Sequence, residues 1–88
     1  MKKKPHSNRK LIFDEEGIQA FATQLKKIRL REGFTQSQLA YESGLSLSQI
    51  ARIETARINP TLSTVFALAR ALNVKLSDLF NFELKYED

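Results

Sequence analysis

Residues 35–54 read TQSQLAYESGLSLSQIARIE. The run divides into two short helices about a glycine. Thr35 followed by Gln38 has capping-box spacing. The Thr hydroxyl accepts a backbone N–H three residues on, and the Gln side chain reaches back to the cap. Leu39 and Ala40 then face inward. Gly44 ends this helix, because the αL conformation of a helix stop is cheap only for glycine. Ser46 with Gln49 repeats the capping box and opens the second helix. Ile50 and Ile53, three residues apart, share one face and are expected in the core. Ser46, Leu47, Ser48, Gln49 and Arg52 fall on the other face or at the exposed start. A buried helix bracing an exposed one is the geometry of a helix-turn-helix reader.

Working outward, Asp14 is the expected N-cap of a first helix over about 15–32. Glu15 and Glu16 complement the positive end of its dipole. Three adjacent carboxylates are ordinary at a helix start for that reason and are not read as catalytic. Ile18, Phe21, Leu25 and Ile28 form a core stripe at spacings of three and four. Lys26, Lys27, Arg29 and Arg31 crowd the carboxyl-terminal half, and Gly33 stops the helix. On the other side, Thr55 to Pro60 is a loop. Thr61 caps a fourth helix to Leu72 with Leu62, Val65, Phe66, Ala69 and Leu72 on its apolar face, and Asn73 is an αL stop. A fifth, short helix covers Leu76 to Phe80, with Leu76, Leu79 and Phe80 packing back. Phe80, Phe82, Leu84 and Tyr86 alternate with polar residues, a strand signal. Such a strand needs a partner, either Leu11–Phe13 or the tail of a second copy. The alternative is a helical extension or frayed end whose aromatics fill gaps in the core.

The chain has 88 residues, the length of one domain, and a net charge of +4. The basic excess sits in Lys2, Lys3, Lys4, Arg9 and Lys10, while residues 11–79 are nearly balanced and 80–88 are acidic. A short basic arm suits a phosphate backbone, and it also suits a plain solubilising tail. The expected division is therefore a flexible basic arm (1–13), a globular all-α domain (14–80) and a tail (81–88). There is no cysteine, which excludes thiolate metal sites and cysteine nucleophiles. The single histidine, His6, has no second imidazole to share a metal. No apolar run is long enough to span a bilayer, and the amino terminus lacks a signal-peptide pattern. The expectation is a cytoplasmic, non-membrane protein with no cofactor, no metal and no enzymatic activity.

Three segments together carry a family resemblance: LKKIRLREGFTQSQLAYESGLSLSQIARIE (25–54), NPTLSTVFALARALNV (59–74) and LSDLF (76–80). The chain resembles the phage-repressor-like helix-turn-helix regulators, the Xre or Cro/cI family. The resemblance implies a compact five-helix, lambda-repressor-like domain that binds operator DNA as a two-fold dimer. It also implies roles for single residues. Ser46, Leu47, Ser48 and Arg52 stand where the family meets base edges, and Gln49 where it touches backbone or base. Thr35 and Gln36 stand where it contacts a phosphate and props the reading helix. Arg57 and Asn59 stand in a loop that meets phosphates. Arg29 and Glu54 stand where members form a partly buried ion pair, so Glu54→Ala is expected to weaken binding only through lost stability. Ala56 departs from the pattern, since the family usually has glycine there. Either Ala56 is αL, at a cost on the order of 1 kcal/mol, or the third helix continues through it and displaces Arg57.

The physical case for the reading face is independent of the resemblance. Arg52 has forked donors that match guanine O6 and N7, and Leu47 could pack on a thymine methyl. The resulting expectation is a sequence-specific transcriptional repressor on a palindromic site. The apolar Phe80, Phe82, Leu84 and Tyr86 are the candidate dimer contacts. The alternative is an antitoxin whose tail wraps a protein toxin and which represses its own operon.

Overall fold

The computed structural model describes residues 12–85. Five helices follow in chain order: α1 (Glu15–Arg31), α2 (Gln36–Ser43), α3 (Leu47–Glu54), α4 (Leu62–Leu72) and α5 (Leu76–Leu79). Each of the first four begins where the capping chemistry places it. Asp14 Oδ1 accepts from Gly17 N at 2.9 Å. Thr35, Ser46 and Thr61 accept from the backbone N–H three residues on, at 3.0, 3.0 and 3.1 Å. The stops are equally local. Gly33 and Gly44 are left-handed, with φ of 81° and 78°, and Asn73 takes the same conformation at φ 57°.

Ala56 is also left-handed, at φ 60°. Helix α3 therefore stops at Glu54, and the continuation through Ala56 does not occur. Ala56 N donates to Ile53 O at 3.1 Å and Arg57 N to Arg52 O at 2.9 Å, the paired bonds of a Schellman stop. Those bonds satisfy carbonyls that would otherwise be orphaned, and they hold an alanine where its Cβ is crowded. Ala56→Gly is expected to raise stability by about 0.5–1 kcal/mol, the relieved strain less the extra freedom of an unfolded glycine. Thermal melting checks this, and an unchanged or lower Tm would contradict it.

The core draws Phe21, Leu25 and Ile28 from α1, Leu39 from α2, Ile50 and Ile53 from α3, Val65, Leu68 and Leu72 from α4, and Leu79 from α5. Helix α2 packs on α3 and α4, while α1 packs on α3 and α5. Helix α3 is thus held from behind on two sides.

Three expectations are corrected. Leu62 and Phe66 were expected to face inward, yet Leu62 is 69% exposed and Phe66 also stands out to solvent. Leu68, fully buried, takes the inner position instead. Helix α5 ends one residue short of Phe80, and of its expected core residues only Leu79 is buried, since Leu76 and Phe80 remain exposed. Of the two readings left open for the tail, the strand is absent among the described residues, and the end whose aromatics fill gaps in the core is the one observed. The alternation itself is real: Phe82 and Leu84 are half-buried, whereas Asn81, Glu83 and Lys85 are exposed. The segment packs on helices rather than a sheet edge. Phe82 joins the core cluster, Phe80 stacks on Phe21 with ring centroids 5.4 Å apart, and Lys85 N donates to Glu16 Oε2 at 2.9 Å. A period of two reports one buried face, and a helical surface can cover that face as well as a sheet can. Most of the basic arm, with Leu11 and Tyr86, lies outside the described residues.

Candidate DNA interface

The two capping boxes form as their spacing predicts, and each ties up a glutamine. Gln38 Oε1 accepts from Thr35 N at 2.8 Å, and Gln49 Oε1 accepts from Ser46 N at 3.0 Å. Gly44 turns the chain between the helices, with its N–H and that of Leu45 both on Ala40 O. Burial of Ile50 and Ile53 then settles the rotation of α3. The opposite side faces water. Ser46, Ser48 and Arg52 are exposed, Leu47 is 49% exposed, and Gln49 is half-buried. Ser48 and Arg52 are four residues apart and share one helical face. The five residues expected at base edges therefore lie together at the accessible start and outer side of one helix.

The supporting residues lie on the elements before and after α3. Thr35 is exposed and Gln36 half-buried at the start of α2. Arg57 and Asn59 are exposed in the loop after α3. Because Arg57 N is bonded to Arg52 O, that loop leaves α3 along a defined path and is not displaced.

At the inner end of α3 lies a buried polar cluster. Arg29 and Glu54 are only 6% and 8% exposed. Arg29 Nε and Nη2 donate to Glu54 Oε2 and Oε1 at 2.6 and 3.0 Å, a forked pair between α1 and the end of α3. The third arginine donor, Nη1, reaches Phe34 O at 2.8 Å. Gln36 Nε2 donates to Glu54 Oε1 at 3.0 Å. Among the described residues, no buried side-chain nitrogen or oxygen lacks a partner. The cluster joins α1, the α1–α2 turn, α2 and α3, and so ties the end of α3 to the elements around it. The pairing of Arg29 with Glu54 was foreseen. The bond from Arg29 to Phe34 was not, and Gln36, which the resemblance implied as a prop for α3, bonds Glu54 at the end of that helix. A further unforeseen bond, Gln24 Nε2 to Asp78 O at 2.8 Å, fastens α5 to α1. Nothing in the sequence marks Gln24 for that role.

Comparison with known proteins agrees with this geometry. The family model described as Helix-turn-helix (HTH_3) matches residues 25–79. The chain belongs to the HTH_3 helix-turn-helix family. Like other HTH_3 proteins of the Xre/Cro-cI type, it is a DNA-binding transcriptional regulator and not an enzyme. An uncharacterised HTH-type transcriptional regulator of Archaeoglobus fulgidus is 33% identical over 61 residues, spanning 69% of this chain and 87% of that protein. The immunity repressor of Bacillus phage phi105 is 44% identical over 59 residues, spanning 67% of this chain and 41% of the repressor. Among solved structures, the restriction-modification controller protein C.AhdI from Aeromonas hydrophila superposes with a TM-score of 0.70 at 32% identity, covering 72% of this chain and 96% of that one. The wild-type controller protein C.Esp1396I gives 0.68 at 33% identity, covering 72% and 83%. Among the described residues, no helix of this HTH_3 chain is long and apolar enough to cross a membrane.

Proposed function

We propose that the protein is a cytoplasmic repressor that binds a palindromic operator as a homodimer, with the start of α3 in the major groove. The observation that carries this reading is the one-sided burial of α3: Ile50 and Ile53 are sealed behind it, and Ser46, Leu47, Ser48 and Arg52 are open to solvent. The major groove admits one helix, whose first residues reach the base edges. Arg52 grips a guanine through its forked donors, Leu47 packs on a thymine methyl, and Ser46 and Ser48 bond base edges or the flanking backbone. The Thr35 hydroxyl already accepts a backbone N–H, which leaves its own O–H for a phosphate. Gln36 has one N–H engaged by Glu54 and a second for a phosphate. Arg57 and Asn59 meet the backbone on the other side of the groove, and the basic arm (1–13) adds salt-dependent, sequence-blind affinity.

The homodimer reading is supported by exposed apolar side chains on α4, on α5 and at the residue that ends α5. Leu62, Phe66, Leu76 and Phe80 are all exposed there. Phe82 and Leu84 pack partly against their own chain, so Phe80 is the described tail residue best placed to meet a second copy. Two reading helices about 34 Å apart match one turn of duplex and imply a two-fold site.

Selection of bound sites from a random DNA pool tests the reading. The wild-type protein is expected to return a palindromic motif. Arg52→Ala is expected to erase one guanine per half-site, with a loss of about 1–3 kcal/mol in binding to the wild-type motif. Enrichment no better than random at moderate salt would overturn it.

A further inference from the structure

An apolar groove of about 270 Å³ opens beside the start of α1. Ile18 and Phe21 of α1, Pro60 and Leu62 around the start of α4, and Phe82 and Leu84 of the tail line it. Among the described residues Asn59 is its one polar side chain, and no charged group lines it. A small-molecule site places several polar groups to orient its ligand. This groove offers one, so it suits apolar side chains of a protein chain.

The same end of α1 carries two neighbouring apolar side chains in solvent. Ile12 is 87% exposed and Phe13 42%. Neither lines the groove of its own chain. The Asp14 cap fixes how the chain enters α1: its side chain accepts from Gly17 N and its carbonyl from Ile18 N, both at 2.9 Å. Charge also differs between the pair and the groove. Arg9 and Lys10 precede Ile12, whereas Glu15 and Glu16 precede Gly17 and Ile18 of the groove, and Glu83 lies between Phe82 and Leu84. Glu15, Glu16 and Glu83 are all exposed. An apolar pair with a basic flank thus matches an apolar groove with acidic neighbours.

We infer that Ile12 and Phe13 of one copy seat in this groove of a second copy, and that the exchange is mutual. This rests on the homodimer reading and adds the segment that clasps the pair. Leu62 and Phe80 belong both to the groove and to the exposed apolar side chains proposed for the dimer. A second copy that covers those side chains therefore comes to the edge of the groove. In a two-fold pair, each contact made by one copy is returned by the other. The projecting pair and the groove lie at one end of α1, so a two-fold axis near that end satisfies both exchanges. Ile12 and Phe13 then leave water in both copies, which strengthens the dimer without involving any residue of α3.

The chain has no cysteine, so introduced thiols report single contacts. Phe13→Cys and Leu84→Cys are prepared separately, mixed and oxidised. The expected product is a disulfide between the two variants, in much higher yield than from either alone, because the bond forms only where Cα atoms come within about 7 Å. Ile12→Ser combined with Phe13→Ser removes the apolar pair from exposed positions. Its helical circular dichroism should match wild type, while the dimer dissociation constant, from sedimentation equilibrium, rises about 10-fold or more. An unchanged dissociation constant would overturn the inference, as would a dimer that gives no mixed disulfide. So would a chain carrying both cysteines that closes its disulfide within one monomer, since the groove then takes its own arm. Failure of the homodimer reading looks different: the wild-type chain sediments as a monomer at every concentration, and the reading and the exchange fall together.

Discussion

Replacing Glu54 with alanine is expected to lower the stability of the fold by about 3–5 kcal/mol. The carboxylate is buried and accepts three bonds, two from Arg29 and one from Gln36. Arg29, only 6% exposed in the intact fold, is then left with Phe34 O as its remaining described acceptor. An uncompensated buried charge is far more damaging than the net worth of the pair suggests, because the intact pair only roughly offsets its own desolvation. A domain of this size has roughly 5–10 kcal/mol in total, so the loss is a large fraction of it. Tm should fall by more than about 12 °C, and denaturant titration should show the same loss in midpoint. A wild-type Tm in Glu54→Ala would sink this account. Operator affinity, measured where the variant is still folded, should fall too, but by less than about 1 kcal/mol. The structure adds that second effect to the purely indirect one expected from sequence: the bond from Gln36 ties a proposed phosphate contact to Glu54.

Ile50→Ala is expected to be nearly as severe, at about 2–5 kcal/mol. Ile50 is fully buried between α3 and the elements behind it, and alanine leaves a cavity that a short helix cannot collapse into without moving its outer face. Leu47→Ala is the paired control on the same helix. Leu47 is 49% exposed, so its truncation should change stability by no more than about 0.5 kcal/mol. It should weaken operator binding and relax one thymine preference. The two variants therefore separate the inner and outer faces of α3, stability responding to one and DNA binding to the other. If Leu47→Ala unfolds the domain while Ile50→Ala does not, the rotation of α3 assigned here is wrong.

Much of this was legible before any coordinates. The capping residues Asp14, Thr35, Ser46 and Thr61, and the αL stops Gly33, Gly44 and Asn73, all behave as their chemistry predicts. So do the buried Ile50 and Ile53. Each of these depends on interactions within a few residues, or on a periodicity that repeats along one helix. The tail was harder. Its alternation identified which side chains turn inward, but a one-dimensional pattern carries no information about whether a sheet or a helix covers them. Leu62 and Phe66 look like core residues for the same reason, since hydrophobicity alone does not distinguish an interior face from an apolar face left open.

Local chemistry written into the chain was thus enough to place the helices, most of their ends and the inner and outer faces of α3. Side-chain bonds within three or four residues do not need the rest of the molecule. Convergence of distant segments settled the remainder: the meeting of Arg29, Phe34, Gln36 and Glu54, the docking of Phe82 beside α1, and the exposure of Leu62, Phe66 and Phe80. Those features depend on the angles at which helices pack, which are the joint outcome of every buried side chain and are encoded at no single position.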